Sequence, residues 1–425
     1  MPAGLIPPLL TDAAVLDRLF APVAGRQALG LAVSGGADSL ALMLLAVRWA
    51  GTLAKPPRLF VYSVDHGLRP EAADEVRFVL AEAAKLGLPA RGLAWREGHP
   101  QTGIQEAARA ARYRLIGAAM AEDGGEVLLT AHHRNDQAET VLMRLAHGSG
   151  IEGLKGMEPF SSVEGVPIFR PLLDVDPADL AALVAEAGLT PVADPSNADT
   201  AYERVRWRGM LGPLAELGLD GATLSRFARR MGEADRALSE IADAAFESLV
   251  LLDGFGAARL DRAAFRALSP AIGIRVISRV LNVVGGRQRP RALSQVERLA
   301  ETLVAPGTLK ATTLLGCVTR AEDETISIAR EPGRRAPPDL VLAPKGEIVW
   351  DQRFLIRNAS PDTAFTAGVA DYLPRHRLQE VLGFKVTAPS EAIRTAPIVR
   401  DGEGGVLSLG GWSFDKRIAV KLLID

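Results

Sequence analysis

Residues 28–147 hold four short apolar runs, and a helix-like pattern follows each. "ALGLAV" (28–33) precedes a helical stretch at 39–50, and "RLFVYSV" (58–64) precedes one at 70–86. In the latter, Val76, Val79, Leu80, Ala83 and Leu86 form one stripe, Pro70 suits the first helical position and Gly87 ends the pattern. "LPARGLAW" (88–95) and then 103–122, and "EVLLTA" (126–131) and then 136–147, repeat the alternation. Strand–helix alternation of this kind specifies an α/β fold, a doubly wound parallel sheet. Ligands of such sheets sit at the carboxyl ends of the strands. The polar residues directly after each strand are therefore where chemistry is expected.

The alternation fades near residue 190, and a chain of 425 residues exceeds one ordinary core. Residues 223–250, 262–284 and 291–304 read as helices, the first with a stripe of Leu224, Phe227, Met231, Ala234 and Leu238. "TTLLGCVT" and "TISIAR" flank "RAEDE" as a hairpin. The proline-rich, charged "EPGRRAPPD" (331–339) suits a linker. Short β-like runs follow to Asp425, "EIVWDQRFLI" and "GVLSLGGWSF" among them, and read as a small, mostly β domain. The expected organisation is thus 1–215, a helical 216–330, and a linker with a small C-terminal domain over 331–425.

The formal net charge is −2, so a nucleic-acid contact would have to rest on local basic clusters. A single cysteine, Cys317, allows neither an intrachain disulfide nor a Cys-x-x-Cys metal or redox site. No uncharged apolar run approaches the roughly 20 residues of a membrane span, and the start lacks a secretory signal's basic region. A cytoplasmic protein with no membrane partner is the expectation.

Ser34-Gly35-Gly36-Ala37-Asp38-Ser39 lies where the first strand ends and a helix begins. Adjacent glycines let the backbone turn and bring N–H groups close to an anion. The helix that follows adds free N–H donors and the positive end of its dipole. Ser34 and Ser39 can donate hydroxyl hydrogen bonds. Asp38 would repel a bare phosphate, which suggests a bound cation such as Mg²⁺ held at Asp38. The loop lacks the lysine of the commonest phosphate loop, so gripping a departing pyrophosphate suits it better than transferring a γ-phosphate. A capped strand–helix turn is the plainer reading of the same residues.

"SGGADS" resembles the PP-loop of ATP pyrophosphatases, which adenylate a substrate and release pyrophosphate. The class includes GMP and NAD synthetases, argininosuccinate synthase, tRNA thiolases and tRNA(Ile)-lysidine synthetases, and the other strand ends choose among them. "VDHGLR" (64–69) is similar to the lysidine-synthetase segment. Its Asp65, at a strand's carboxyl end, can meet the nucleotide or an arginine, or simply form a turn. "GIQEAARAARYRLI" puts Arg109 and Arg112 on one helix face, with Tyr113 beside them. The resemblance implies that these arginines contact ATP phosphate or tRNA; a solvated basic face is the alternative.

The fourth strand leads into Thr130-Ala131-His132-His133-Arg134-Asn135-Asp136-Gln137-Ala138-Glu139-Thr140, which carries the "AHHxxDQAET" hallmark of the lysidine synthetases. Asp136 and Glu139, three residues apart on the first helical turn, can face one ligand together, and a cationic amino acid suits them. The resemblance implies free L-lysine. The same pair also fits a capping box. Zinc at the paired histidines lacks a third ligand at a plausible spacing. Gly148-Ser149-Gly150-Ile151-Glu152-Gly153 matches the dinucleotide pattern but follows a helix rather than a strand, so it is rejected. "RLAHGSGIEGLKGM", "RPLL" (170–173) and "DPSN" (194–197) extend the family likeness.

Arg204, Arg206 and Arg208 alternate around Trp207, a pattern that can hold an RNA backbone and stack a base, or form the basic face of an amphipathic helix. The family usually carries asparagine where this chain has Val205, which puts that contact in doubt. Arg226, Arg229, Arg230 and "GRQRPR" (286–291) are further basic clusters. "WDQRF" (350–354) is a weak echo of the family's C-terminal region.

The resemblance implies ATP as co-substrate with Mg²⁺, and a tRNA(Ile) with a CAU anticodon and free L-lysine as partners. ATP would be bound by residues 34–39, Asp65 and Arg112, lysine by Asp136 and Glu139, and tRNA by Arg109, Arg204, Arg206 and Arg208. Asp38, His133, Asp136 and Glu139 would carry the chemistry. A tRNA sulfurtransferase is disfavoured by the lone cysteine. An ammonia-using synthetase and a non-catalytic RNA-binding protein are the other readings. The oligomeric state is left open, a homodimer included.

Overall fold

The computed structural model describes residues 10–67, 71–96, 102–192, 199–286, 293–333, 337–370 and 374–424. Pro70, "DPSN", most of "GRQRPR", part of the proposed linker and the end of "VDHGLR" lie outside them. The chain divides into two compact units, Met1–Asp235 and Arg236–Asp425, and the division falls inside the helix Gly221–Leu249. No helix among the described residues is long and apolar enough to cross a membrane.

The first unit runs α1 (Ala13–Phe20), β1 (Ala28–Ala32), α2 (Ala37–Thr52), β2 (Arg58–Asp65), α3 (Ala72–Lys85), β3 (Ala90–Ala94), α4 (Ile104–Asp123), β4 (Val127–Leu129) and α5 (Arg134–Ala146). It continues through α6 (Ile151–Leu154), β5 (Phe160–Val163), β6 (Val166–Phe169), α7 (Pro177–Glu186), α8 (Glu203–Glu216) and the first half of α9 (Gly221–Leu249). The six strands are ordered β3-β2-β1-β4-β6-β5, parallel except for the antiparallel edge strand β5. The doubly wound sheet of the sequence reading is therefore present, with an antiparallel hairpin at one edge.

Burial on both faces explains the unbroken apolar character of β1. Leu29 and Leu31 pack with Phe20, α2 and Leu180, Leu183 and Val184 of α7, and Phe20 stacks on Trp49 with ring centroids 4.9 Å apart. Gly30 faces the opposite side, where a Cβ would come within 3.0 Å of Tyr62 and 3.1 Å of Leu128. Met120 of α4 lies 3.2 Å from the same point, so any side chain larger than hydrogen there would press on β2, β4 and α4 together. The helix α2 is apolar nearly all round because it is sandwiched between the sheet, α1 and α7. A further small core joins Ala138, Val141 and Leu142 of α5 to Trp207, Leu211 and Leu214 of α8 and to Leu224 and Ala228 of α9.

Among its described residues the second unit contains two five-stranded sheets and one three-stranded sheet. Its first sheet pairs Cys317–Ala321 with Thr325–Arg330 around the expected hairpin. "TTLLGCVT" is itself a hairpin, because Leu315 and Gly316 turn with positive φ between Leu309–Leu314 and Cys317–Ala321. The helix expected at 262–284 is two helices, Arg262–Arg266 and Pro270–Gly285. Pro270 occupies the first turn of the second helix, and the residue before a proline is driven to extended backbone, as Ser269 is at ψ 148°. The C-terminal portion is strand-rich, as expected, with the helices Arg375–Leu382 and Ser390–Thr395 in addition.

Candidate active site

The strand order reverses at β1, whose neighbours are β2 on one side and β4 on the other. The crevice outside the carboxyl ends of β1 and β4 is thus the topological switch point, where doubly wound sheets bind ligands. The residues that follow these two strands are Ser34–Ser39 and Thr130–Asp136.

Gly35 turns the loop after β1 with φ +89°. Ser39 Oγ locks the bend by donating to Gly36 O at 2.9 Å and accepting the Ser34 N–H at 3.2 Å. The Val192 N–H holds Gly35 O at 2.9 Å. No side chain caps α2 at Gly36, so its first-turn N–H groups remain available to an anion. Asp38 stands in that first turn with its side chain 42% exposed.

On the β4 side, His133 is the N-cap of α5. Its Nδ1 accepts the N–H groups of Asn135 and Asp136 at 3.2 and 3.4 Å, and Asp136 Oδ2 accepts the His133 N–H at 3.0 Å. The capping box is therefore His133–Asp136, one turn earlier than Asp136–Glu139, because the helix starts at Arg134. With Nδ1 accepting, the neutral ring carries its proton on Nε2. That atom lies 3.5 Å from Asp38 Oδ2 and 3.4 Å from Asp136 Oδ2. Burial opposes protonation of His133, but the Asp38 hydrogen bond and the charges of Asp136, Asp38 and Glu139 raise its pKa above the ordinary imidazole value.

Asp136 and Glu139 are buried, Glu139 completely. Two arginines of α8 meet them. Arg204 donates from Nε to Glu139 Oε2 at 2.6 Å and from Nη2 to Asp136 Oδ1 at 2.8 Å. Arg208 Nε donates to Glu139 Oε1 at 2.7 Å. Spacing of four on one helix and three on the other brings both pairs together. Arg206 points elsewhere and donates to the carbonyls of Thr200 and Ala201. The two acids expected to hold lysine and two of the four arginines expected to hold tRNA thus form one ion-pair cluster.

Asp65 accepts the Gly67 N–H at 2.8 Å, a turn-forming bond. His66, next in the chain, receives Arg112 through Nε at 3.2 Å and Nη2 at 2.9 Å. Burial first, and Arg112 second, push the His66 pKa down to about 4. Arg109 stacks over Tyr113, 5.3 Å from the ring centroid. His132 lies 2.9 Å from Thr130 Oγ1 through Nδ1, and burial, reinforced by Arg170, Arg204 and Arg109, pushes its pKa well below the usual value. His66, Thr130 and His132 belong to the motifs named above, but sequence reasoning gives them no role; their signal is position, directly after a parallel strand.

Mg²⁺ is usually held by one or two carboxylates plus substrate phosphates and water. Asp38, half-exposed beside free helix N–H groups, fits such a substrate-borne ion. The described residues contain no group of three or more His, Cys, Asp or Glu side chains arranged as a self-sufficient metal cage.

Comparison with known proteins agrees with this geometry. Residues 9–215 match the family model described as a PP-loop domain. The chain is 49% identical over 288 residues to a tRNA(Ile)-lysidine synthase of Rhodopseudomonas palustris, covering 67% of this chain and 83% of that protein. It is 42% identical over 343 residues to the tRNA(Ile)-lysidine synthase of a Bradyrhizobium species, covering 76% and 96%. A third such enzyme, from Methylobacterium nodulans, is 44% identical over 330 residues, covering 76% and 95%.

Proposed function

The chain belongs to the tRNA(Ile)-lysidine synthase family, and we propose accordingly that it joins free L-lysine to C2 of the wobble cytidine of a tRNA(Ile) bearing a CAU anticodon. ATP is the co-substrate, and AMP and pyrophosphate are the other products. The product base pairs with A rather than G, so the codon read changes from AUG to AUA and the amino-acid identity from methionine to isoleucine.

Two steps satisfy the chemistry. The cytidine 2-oxygen attacks the α-phosphate of ATP, and the bond to pyrophosphate breaks. The lysine ε-amine then attacks C2, the C2–O bond breaks and AMP departs with the oxygen. Pyrophosphate requires donors, which the Ser34–Ser39 loop and the start of α2 can supply. Mg²⁺, carried by ATP and held at Asp38, would neutralise charge on the departing group. Arg109 and Arg112 are assigned to phosphate of ATP or of tRNA, and Arg206 to tRNA.

Lysine enters as an ammonium with a reference pKa of about 10.4 and must lose a proton to attack. Asp136 and Glu139 are assigned to hold it and to accept its proton, and His133, whose Nε2–H faces Asp38 and Asp136, to orient them. Arg204 and Arg208 already neutralise these carboxylates, so lysine binding on them proceeds by exchange with, or addition beside, the α8 guanidinium groups.

The observation that carries this reading is the His133 imidazole, within 3.5 Å of carboxylates from both sides of the switch point. It joins a phosphate-binding loop to an amine-binding pair in one crevice. The test is mass analysis of nucleosides from an unmodified tRNA(Ile) transcript incubated with ATP, Mg²⁺ and labelled lysine. Label in a modified cytidine, dependent on all components, is expected; label absent, or ammonia serving in place of lysine, would overturn the reading.

A further inference from the structure

Side chains around α4 and the carboxyl edge of the sheet make a second constellation. Arg170 directly follows Phe169, the last residue of β6, and Thr130 directly follows Leu129, the last of β4. Leu129 and Phe169 are register partners, and the Thr130 N–H donates to Phe169 O at 3.0 Å. Arg170 and His132, which bonds Thr130, therefore step off adjacent strands. Across from them α4 packs on β2 and β6, carrying Arg112 against His66 and Arg109 over Tyr113.

The charges in this constellation are unbalanced. Among the described residues Arg112 bonds His66, Arg109 meets the Tyr113 ring, and Arg170 Nη1 donates to Glu158 O and Ser161 Oγ at 2.8 and 2.9 Å. None of these partners is a carboxylate. Of the acids whose charge reaches this cluster, Asp65 accepts the Gly67 N–H, and Glu158, which acts on Arg170, is shared with Lys155. Arg170 is only 5% exposed, and among the described residues its buried Nε has no hydrogen-bond partner. The contrast within the chain is instructive. Buried Arg262 donates to four backbone carbonyls, and Arg204 and Arg208 each face two acids. A buried guanidinium with an unused donor beside like charges is costly unless something completes it.

We propose that Arg170, with Arg109 and Arg112, forms a subsite for a phosphoryl group, in which the unused Arg170 Nε donates to a phosphate oxygen. Three guanidinium charges exceed what one carboxylate neutralises, which favours phosphate over the carboxylate of an amino acid. Both flanking histidines are held uncharged, by burial first and by the guanidinium charges second. The inference rests on the lysidine-synthase reading for the source of the group: a phosphate of ATP or a backbone phosphate of tRNA.

The test uses the full chain. Arg170→Gln, Arg170→Lys and Ser161→Ala are compared with wild type for ATP affinity without tRNA, tRNA affinity without ATP, and lysine KM. Loss of a charged hydrogen bond predicts about tenfold or more weakening in Arg170→Gln of whichever phosphate ligand occupies the subsite. Arg170→Lys, which keeps the charge, should recover part of it, and Ser161→Ala and the lysine KM should stay within about twofold of wild type. Weakening of ATP identifies the nucleotide as the source, and weakening of tRNA identifies the RNA. Both affinities unchanged, a change in lysine KM alone, or the same loss from Ser161→Ala would overturn the proposal. If Arg170→Gln does not fold, Arg109→Gln is judged by the same tenfold criterion. A wild-type protein that binds ATP or tRNA through Arg170 yet makes no lysidine would sink the parent reading and leave the subsite standing.

Discussion

Asp38 Oδ2 and His133 Nε2 lie 3.5 Å apart, although one belongs to the helix after β1 and the other to the cap of the helix after β4. The contact closes the crevice at the point where the strand order reverses. It makes the Ser34–Ser39 loop and the Asp136–Glu139 pair one electrostatic unit.

Asp38→Ala should therefore remove ATP–pyrophosphate exchange while leaving the fold intact, because the side chain is half-exposed and contributes no cap to α2. A loss of about 100- to 1,000-fold is expected for one electrostatic stabiliser of the departing group. Exchange assays and thermal melting read the two effects separately. Exchange that persists at wild-type rate would take the loop out of pyrophosphate chemistry.

The acid pair carries a different expectation. Asp136→Asn and Glu139→Gln keep shape and remove charge, so lysine KM should rise about 10- to 100-fold, the worth of a charge-assisted hydrogen bond. ATP affinity measured without lysine should change far less. Unchanged lysine KM in both variants would leave the acids with only their partnership with Arg204 and Arg208.

That partnership has its own consequence. Glu139 is completely buried, and its charge is met by Arg204 Nε and Arg208 Nε at 2.6 and 2.7 Å. Replacing both arginines by methionine strands the carboxylate, at a cost of about 3 kcal/mol. Denaturant unfolding should show this loss, and adding Glu139→Gln should return part of it. A double variant as stable as wild type would mean that Glu139 is not charged when the protein is folded.

These pairings mark the limit of what the chain discloses by itself. β1 and β4 are legible because strands buried on both faces read as unbroken apolar runs, β2 and β3 because they recur between helical stretches, and the loop after β1 is legible from its paired glycines. The Arg204–Glu139 contact is not, since it joins residues 65 positions apart through the packing of α8 on α5. The helix 262–284 is overread because its apolar stripe continues across Ser269, while Pro270 forces extended backbone there. Arg170 reads as one residue of a family motif; its unused donor becomes visible only when burial is known.

Gly35 tests the loop without touching a charge. Its φ is +89°, and a Cβ added there would lie 3.1 Å from Val192 Cγ2, so Gly35→Ala strains the backbone and presses on the residue that anchors the loop. A stability loss of about 1–3 kcal/mol is expected, together with a raised ATP KM. The corresponding change at Gly25, which has open space around it and no positive φ, should cost little. Equal effects at the two glycines would contradict the left-handed turn.

His66 provides a pH readout. Its pKa falls to about 4 in the folded protein, through burial and then Arg112, against roughly 6.5 in an unfolded chain. Between these values the unfolded chain binds a proton that the native site refuses. Stability contributed through His66 is therefore full above pH 6.5, declines as pH falls toward about 4, and changes no further below. NMR titration of the imidazole should give a midpoint near 4, and Arg112→Met should move it upward while burial keeps it below the free value. A midpoint at the ordinary imidazole value in the wild-type protein would show that Arg112 does not donate to an uncharged His66.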